Sequence, residues 1–365
     1  MTVLFLSAAS SIHTVRWVNS LAERGFKIIL VSLKQHKDSN NLVSPNVKIY
    51  YLPFNGFKGY YLNCFMLRKI LILESVDLLN VHYASGYGTL ARLSKFHPCL
   101  LSVWGSDVYD FPHRNCFNYQ ITKKNIEFAD KIASTSKCMA IKTRELTSEN
   151  LDISITPFGV DIDLFKPIKS TRKDSFTFAT IKIIDDKYGI DFIIRSFFEF
   201  YRKLEDKSIK IQYLIYGDGP KFKEYQKLIF DLNMGNHILL KGYVRNEEIP
   251  EILSQVDVYL LGSKQESFGV SAVEAMSCGI PVIATKADGF KEVISDSECG
   301  YIIEYGDIQS YSKRMTDLYK DKSLRKRIGE NARVRVIENY DFENNVTTMA
   351  NIYYSFIKGE IEDEY

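Results

Sequence analysis

Residues 266–285, ESFGVSAVEAMSCGIPVIAT, combine a helical segment with a short apolar strand. Ser271 and Glu274 match an S-x-x-E capping box, and the Gly-Ile-Pro that follows predicts the end of the helix. The run PVIAT is apolar and β-branched, which is typical of a strand covered on both faces. The segment therefore predicts one helix–strand unit of a parallel sheet, with Glu266 and Glu274 near the start of the helix.

The same alternation of strand and helix extends along the chain in both directions. In the first half, the predicted strands are 2–7, 27–33, 47–53, 77–84, 99–107, 131–136 and 153–158. In the second half, they are 176–183, 209–217, 237–244, 256–262, 281–285 and 300–305. Helical patterns separate most of these strands, which indicates doubly wound parallel sheets with helices on both faces.

A chain of 365 residues is longer than a domain with a single hydrophobic core usually is, so the sequence predicts two domains. The polar segment FKPIKSTRKDS, 165–175, has the composition of a linker. We expect a first domain over 1–165 and a second over 166–340, with a last helix at 341–358 that packs back on the first. A ligand of such a fold is expected in the cleft between the domains, at the carboxyl ends of the strands.

Composition excludes several classes of function. The 47 basic and 45 acidic residues nearly cancel, so no strong field argues for binding nucleic acid. Six cysteines without a C-x-x-C pair favour a reduced, cytoplasmic compartment over a disulfide framework or a zinc site. No run of about 18 apolar residues predicts a membrane span, and the short apolar start predicts a first core strand rather than a signal peptide.

Two short segments in the second half could bind a diphosphate. TIKIIDDKYGID, 180–191, places Lys182 and Lys187 at the end of the domain's first strand, where fixed cations would stabilise a phosphate leaving group. In YGDGP, 216–220, Gly217 would let a ligand approach the backbone closely. Solvated lysines and an ordinary turn are the structural alternatives, and these residues alone leave both open.

The opening segment allows a similar choice. Gly269 would let a phosphate approach the free amides at the start of a helix, while Glu266 and Glu274 would accept hydrogen bonds from sugar hydroxyls. Alternatively, Glu274 caps its own helix. The spacing alone does not decide between these interpretations.

Taken together, four pieces in order over about 130 residues resemble the retaining GT-B glycosyltransferases of the "glycosyl transferases group 1" family, which are glycosyltransferase family 4-like. The pieces are IKIIDDKYGIDFII, YGDGP, KGYV and ESFGVSAVEAMSCGIPVIATKADGFKEVI, the last with the family's Glu, seven residues, Glu motif. In the first half, RWVNSLAERGFKIILVS, ADKIASTSKCM and ITPFGVDIDLF resemble the family less sharply. The resemblance implies a GT-B fold, with two doubly wound Rossmann-like parallel-sheet domains facing across a cleft.

The resemblance also implies a site for a nucleotide sugar, UDP- or GDP-linked, which is a substrate rather than a cofactor. Glu274 would hold the ribose, Glu266 the transferred sugar, and Lys182 with Lys187 the diphosphate, Lys182 standing where the family usually has Arg. Further donor contacts are implied at Phe268, Gly269, Val270, Gly217, Tyr243 and Val244. No metal is expected, because the D-x-D of Asp161-Ile162-Asp163 lies near the predicted linker.

Two departures from the family concern the first domain. The loop SAASSIHTVRW lacks the family's glycines, so we expect Ser10, Ser11 and His13 to supply the corresponding donor contacts. Trp104, in SVWGSDVY, stands where the family usually has its catalytic histidine. His82, Asp107 or His13 could contribute to catalysis instead, and a purely structural role is the alternative for each.

The predicted function is a retaining, metal-independent, hexosyltransferase-like transfer to a hydroxyl of a growing glycan or lipid-linked saccharide, in surface polysaccharide biosynthesis. A sugar-nucleotide epimerase or phosphorylase of the same fold, and a non-catalytic donor-binding subunit, stay open as alternatives. The segment 54–74 mixes aromatic, basic and aliphatic residues, so it could lie on the inner face of the cytoplasmic membrane or be an ordinary packed helix. The oligomeric state is not predicted.

Overall fold

A computed structural model describes residues 1–147, 151–168, 175–206 and 209–362, with side chains up to 356. Its strands are β1 (Thr2–Leu6), β2 (Lys27–Leu33), β3 (Lys48–Leu52), β4 (Leu78–His82), β5 (Cys99–Val103), β6 (Lys131–Ser134), β7 (Ile153–Ile155), β8 (Ser175–Ile181), β9 (Lys210–Tyr216), β10 (Ile238–Gly242), β11 (Val258–Leu261), β12 (Val282–Thr285) and β13 (Gly300–Ile303). Its helices are α1 (Ile12–Glu23), α2 (Gly56–Leu62), α3 (Cys64–Leu73), α4 (Gly86–Ser94), α5 (Ser106–Tyr109), α6 (Cys116–Phe128), α7 (Lys137–Arg144), α8 (Ile190–Arg202), α9 (Phe222–Asp231), α10 (Ile249–Leu253), α11 (Val270–Ser277), α12 (Asp288–Ile294), α13 (Ile308–Lys320), α14 (Lys322–Asn339) and α15 (Phe342–Glu362).

The strands form two sheets in the described ranges, and every pair of neighbouring strands is parallel. The seven-stranded sheet has the order β3-β2-β1-β4-β5-β6-β7, and the six-stranded sheet has the order β10-β9-β8-β11-β12-β13. Each predicted strand overlaps one observed strand, and only β8 begins outside its predicted range, one residue earlier at Ser175. The predicted pair of doubly wound parallel sheets is confirmed. In each sheet the chain order reverses once, between β1 and β4 in the first and between β8 and β11 in the second.

Each sheet has its own apolar core, which explains why its strands form. All five residues of β4 are buried, as are all four of β11 and all four of β12. Leu4, Val31 and Leu101 belong to the core of the first sheet, and Phe178 and Tyr213 to the core of the second. Strands buried on both faces carry the apolar runs that the sequence showed.

One predicted strand, over 99–107, is shorter than expected. It ends at Val103, because the carboxylate of Asp107 accepts hydrogen bonds from the amides of Trp104 and Gly105, at 3.2 Å and 2.8 Å. These amides are turned away from the sheet, and α5 begins at Ser106. A carboxylate that captures local amides competes with the strand ladder.

The described backbone divides into two compact units, Met1–Phe158 with Glu343–Tyr365, and Gly159–Phe342. The predicted linker, 165–175, lies mostly at 169–174, outside the described residues. In the first unit, α15 is held by a side chain of β4 and by one that directly follows α1. Asn80 Nδ2 donates to the Tyr353 hydroxyl at 2.5 Å, and Arg24 pairs with Glu343 at 2.7 Å.

The buried contact of Tyr353 predicts a measurable loss of stability. Tyr353 is fully buried, so Tyr353→Phe leaves the Asn80 amide without its partner, and we expect a loss of about 1–3 kcal/mol. Urea unfolding followed by circular dichroism measures this change. Tyr354→Phe is the matched control, since Tyr354 is 47% exposed; equal stability of the two variants would contradict the contact.

Candidate active site

The reversal point of the second sheet brings two predicted site residues together. Lys182 directly follows β8, and Glu266 lies in the loop after the adjacent strand β11. The Lys182 ammonium donates to Glu266 Oε2 at 2.7 Å, and the two side chains are 17% and 15% exposed. In open parallel sheets, ligands bind outside the carboxyl ends of the strands at such a reversal point. The geometry therefore places the ion pair where a ligand of this fold is expected.

Lys182 carries its positive charge in a mostly buried position. Burial alone would lower the pKa of Lys182, but the nearby Glu266 carboxylate, its hydrogen bond, Tyr188 and Glu274 outweigh burial and raise this pKa. Glu266 and Glu274 therefore both act on one ammonium group. The two glutamates of the opening segment are electrostatically linked through Lys182.

Tyr188 joins the two lysines that the sequence singled out. Its ring centroid lies 4.8 Å from Lys182 Nζ and 5.1 Å from Lys187 Nζ. Attraction between an ammonium group and an aromatic face orients such side chains. Sequence reasoning missed Tyr188, whose only signal was its position next to Lys187.

The YGDGP loop holds the backbone that carries Lys182. Gly217 has a φ of +141°, and a Cβ atom there would lie 1.9 Å from the Lys182 carbonyl oxygen. The Lys182 amide donates to the Tyr216 carbonyl at 2.9 Å, and the Ile184 amide donates to the Asp218 carbonyl at 3.0 Å. The chain itself approaches Gly217 closely, through the Lys182 carbonyl, so Gly217 positions the backbone that carries the lysine.

Tyr259, on β11, is a second positioning residue that the sequence did not reveal. Its hydroxyl accepts from the Ile181 amide at 2.9 Å and donates to the Ile181 carbonyl at 3.2 Å. Burial, followed by the charge of Glu274, raises the pKa of Tyr259, so the hydroxyl keeps its proton. Tyr259 therefore holds both backbone polar groups of Ile181, the last residue of β8, directly before Lys182.

The start of α11 differs from the sequence interpretation, and the predicted capping box is wrong. The residue before the helix is Gly269, with a φ of +102°, and a glycine has no side chain with which to cap the helix. Ser271 is the second helical residue, and Glu274 is the fifth. The residue before the helix is thus two positions earlier than the pattern suggested. The Phe290 ring lies 2.9 Å from where a Cβ atom of residue 269 would be, so this position favours glycine.

The neighbours of Gly269 offer backbone rather than side chains. Phe268 is 2% exposed, and its ring packs edge-on against Tyr340 at 5.6 Å. Val270 begins the helix, and the amides of Ala272 and Val273 donate to the Gly269 carbonyl at 2.9 Å and 3.2 Å. The amides at such a helix start favour an anion.

Tyr243 and Val244 follow β10, the edge strand of the second sheet. Tyr243 is 77% exposed, whereas Val244 is half-buried. The Gly217 amide donates to the Gly242 carbonyl at 2.7 Å, which connects this edge to the loop that holds Lys182. An exposed aromatic ring beside that loop is available for stacking on a planar group.

In the first unit, His82 and Asp107 are both buried. Burial lowers the pKa of His82 to about 3, and neither ring nitrogen has a hydrogen-bond partner among the described residues. The ring contacts Trp104 edge-on at 4.6 Å. Asp107 accepts from three backbone amides, those of Ala84, Trp104 and Gly105, and burial raises its pKa. Asp107 thus ties together the loops after β4 and β5.

His13 and Ser11 lie at the start of α1 and are partly exposed. The His13 ring stacks on Phe158 at 4.0 Å with an angle of 22° between the planes. Burial, followed by the charge of Arg16, lowers the pKa of His13 to about 3, so the ring is neutral at pH 7. Ser11 precedes the helix without capping it.

The D-x-D sequence forms a turn. Asp161 Oδ1 accepts from the amides of Asp163 and Leu164, both at 2.9 Å. Within the described residues, no three His, Cys, Asp or Glu side chains lie close enough to hold a metal ion together. Nor does any helix in the described ranges have the length and apolarity needed to cross a bilayer.

Comparison with known proteins gives matches over both halves of the chain. The sequence profile described as "Glycosyl transferases group 1" matches residues 161–335, and the profile "Glycosyl transferase 4-like" matches residues 2–136. N-acetyl-alpha-D-glucosaminyl L-malate synthase of Bacillus anthracis is 27% identical over an alignment of length 372, and the match covers 93% of this chain and 92% of that protein.

Two further matches are a relative from Escherichia coli and a solved structure. UDP-Gal:alpha-D-GlcNAc-diphosphoundecaprenol alpha-1,3-galactosyltransferase of Escherichia coli is 25% identical over 315 residues, which cover 80% of this chain and 78% of that protein. The structure of sucrose-phosphate synthase from Thermosynechococcus elongatus has a TM-score of 0.85 and 17% identity, and the match covers 98% of this chain and all of that one. The predicted GT-B fold class is confirmed.

Gly217 offers a test of how Lys182 is positioned. Gly217→Ala would drive a methyl group into the Lys182 carbonyl and strain the backbone, so we expect a loss of about 2 kcal/mol or more in unfolding free energy. Urea unfolding measures it. Gly235→Ala is the matched control, because nothing lies within 4 Å of a Cβ atom there. A Gly217→Ala protein as stable as the control would refute the packing argument.

Proposed function

The chain is a glycosyltransferase of the glycosyl transferases group 1 family, and we propose that it transfers a sugar from a UDP-sugar to a hydroxyl of a lipid-linked saccharide, with retention at the anomeric carbon. The observation that carries this proposal is the Lys182–Glu266 pair at the reversal point of the second sheet. An ammonium group there suits a diphosphate, and a carboxylate beside it suits sugar hydroxyls.

The roles in the donor site follow from the contacts. Lys182, with Lys187 beside the same tyrosine ring, would neutralise the diphosphate, and the amides near Gly269 and Val270 would add hydrogen bonds to it. Glu266 would hold the transferred sugar, and Glu274 the ribose. Phe268 and Gly217 would contact the donor through their backbones. The ring of Phe268 is buried, and Gly217 has no side chain.

The base would lie at the edge of the second sheet. Tyr243 is exposed and Val244 is half-buried, so an aromatic face and an apolar side chain are available to a planar base. UDP is favoured over GDP because the Escherichia coli relative is named for a UDP-linked donor. N-acetylglucosamine is the first sugar to test, since the Bacillus anthracis relative is named for that residue.

The proposed transfer breaks the bond between the anomeric carbon and the diphosphate oxygen and forms a bond from that carbon to the acceptor oxygen. Both events occur on one face of the sugar, and the acceptor proton passes to the departing phosphate oxygen. The protein's contribution is then positioning and charge stabilisation by Lys182 and Lys187. Because these lysines supply the positive charge, we propose transfer that does not depend on a metal; undiminished activity in EDTA is the expected result.

In the first unit, Trp104 stands where the family usually has histidine. We propose that His13, neutral and partly exposed, and Ser11 donate hydrogen bonds to the bound donor. His82 and Asp107, both buried, would act by positioning the loops after β4 and β5 rather than by touching substrate.

The acceptor in this proposal is a lipid-linked saccharide used in surface polysaccharide assembly at the inner face of the cytoplasmic membrane.

Removing Glu274 tests the donor site. Glu274→Ala would lose hydrogen bonds between a carboxylate and the ribose, so kcat/KM for transfer should fall by about 10- to 100-fold. A coupled assay of UDP release with an acceptor measures it. Glu338→Ala is the matched control, since Glu338 is exposed on α14. Full activity of Glu274→Ala would contradict the proposal.

The choice of donor is tested by thermal stabilisation with a panel of UDP- and GDP-sugars. A donor at 100 times its dissociation constant should raise the unfolding free energy by about 2.7 kcal/mol. We expect stabilisation by UDP-N-acetylglucosamine and none by GDP-sugars.

Turnover that needs free phosphate, or occurs without acceptor, would instead indicate the phosphorylase or epimerase alternative. The anomeric configuration of the product, measured by NMR, tests retention.

A further inference from the structure

Helix α3 of the first unit is apolar on two opposite faces. Its inner face packs into the core through Leu67, Ile70 and Leu71, which recur with helical spacing. The outer face is also apolar: Phe65, Met66, Ile72 and Leu73 are 74%, 44%, 80% and 65% exposed. A surface helix of a globular protein normally turns polar residues outward, so packing within the first unit does not explain this face.

Helix α2 and the turn before it extend the same kind of surface. Phe54, Phe57 and Leu62 are 49%, 60% and 52% exposed. Asn63 is fully buried between the two helices, and its amide group bonds both the amide and the carbonyl of Phe54. Seven of the twenty large apolar residues exposed in the described ranges lie within 54–73. The hydrogen bonds of Asn63 hold the turn at Phe54 against the junction of α2 and α3.

The charge on this surface is entirely positive. Lys58 and Lys69 are exposed among the apolar side chains, and Lys69 lies one helical turn from Phe65, Met66, Ile72 and Leu73. Residues 39–73 contain no Asp or Glu. Arg68 is not available to a partner, because it donates to the carbonyls of Leu93 and Ser94 at the end of α4.

More lysines border the surface at the start of α2. The Gln35 amide donates to Asn55, and the Gly56 amide donates to the Gln35 side chain, at 3.0 Å and 2.7 Å. These bonds attach the turn that carries the exposed Lys34 and Lys37 to α2. Exposed apolar side chains with lysines among them and beside them match the interface of a membrane that contains anionic lipids.

We propose that the outer face of α2 and α3, 54–73, is a docking surface for an anionic membrane, with the helices lying in the headgroup region. The inference goes beyond the proposed transfer reaction and does not depend on it, since it needs no donor. A lipid bilayer fits better than a protein partner because the surface is uniformly basic between its apolar residues.

Flotation with lipid vesicles tests the proposal, using the full chain. The protein should float with vesicles of phosphatidylcholine and phosphatidylglycerol and much less with phosphatidylcholine alone. Each lysine near an anionic surface contributes about a fivefold gain in partitioning, so Lys58→Gln with Lys69→Gln should weaken binding roughly 25-fold. Phe65→Ser with Ile72→Ser should weaken it more than tenfold.

The matched control is Phe230→Ser, because Phe230 is 78% exposed on α9 in the second unit. It should float like the wild type, and all variants should keep the wild-type melting temperature because the changed residues are exposed. Absence of flotation, or equal loss with Phe230→Ser, would overturn the proposal. So would a wild-type dimer that the Phe65→Ser, Ile72→Ser change converts to a monomer without any vesicle binding. Donor stabilisation measured on the same proteins separates these outcomes from failure of the proposed function.

Discussion

In the second unit, the mostly buried ammonium group of Lys182 is stabilised by the Glu266 carboxylate. An ammonium group withdrawn from water is unfavourable unless an anion lies beside it, and Glu266 supplies that anion at 2.7 Å from Lys182. The pair can form only because β8 and β11 are neighbours, which follows from the reversal of strand order. The sheet topology thus creates the ion pair: residues 84 positions apart in the chain meet after the carboxyl ends of adjacent strands.

The surrounding residues keep this pair in place from the backbone side. Gly217 packs against the Lys182 carbonyl, while the Tyr259 hydroxyl bonds both polar groups of Ile181. On the carboxylate side, the Glu266 carbonyl accepts from the Gly289 amide at 2.9 Å, and Gly269 begins the helix that carries Glu274. These backbone hydrogen bonds and close contacts restrict the positions of Lys182 and Glu266, and restricting groups in advance lowers the cost of ordering them on binding.

The sequence predicted the sheets well, because strands buried on both faces are apolar throughout and helices separate them. It also grouped Lys182, Lys187, Glu266 and Glu274 as site residues, with roles that remain proposals. The S-x-x-E pattern wrongly predicted that Ser271 precedes the helix. The ring beside Gly269 belongs to Phe290, 21 residues further along the chain, and a local pattern does not contain this contact. Contacts set by tertiary packing, such as those of Asp107 and Tyr259, have no signature in local spacing.

The central claim is that Lys182 binds the diphosphate of the donor. Calorimetric titration of UDP into the wild type and into Lys182→Met tests it most directly, with Lys326→Met as the control because Lys326 is 75% exposed on α14. We expect UDP to bind Lys182→Met about 10- to 100-fold more weakly than the wild type, and to bind Lys326→Met with the wild-type affinity. UDP binding with wild-type affinity to a folded Lys182→Met protein would contradict it.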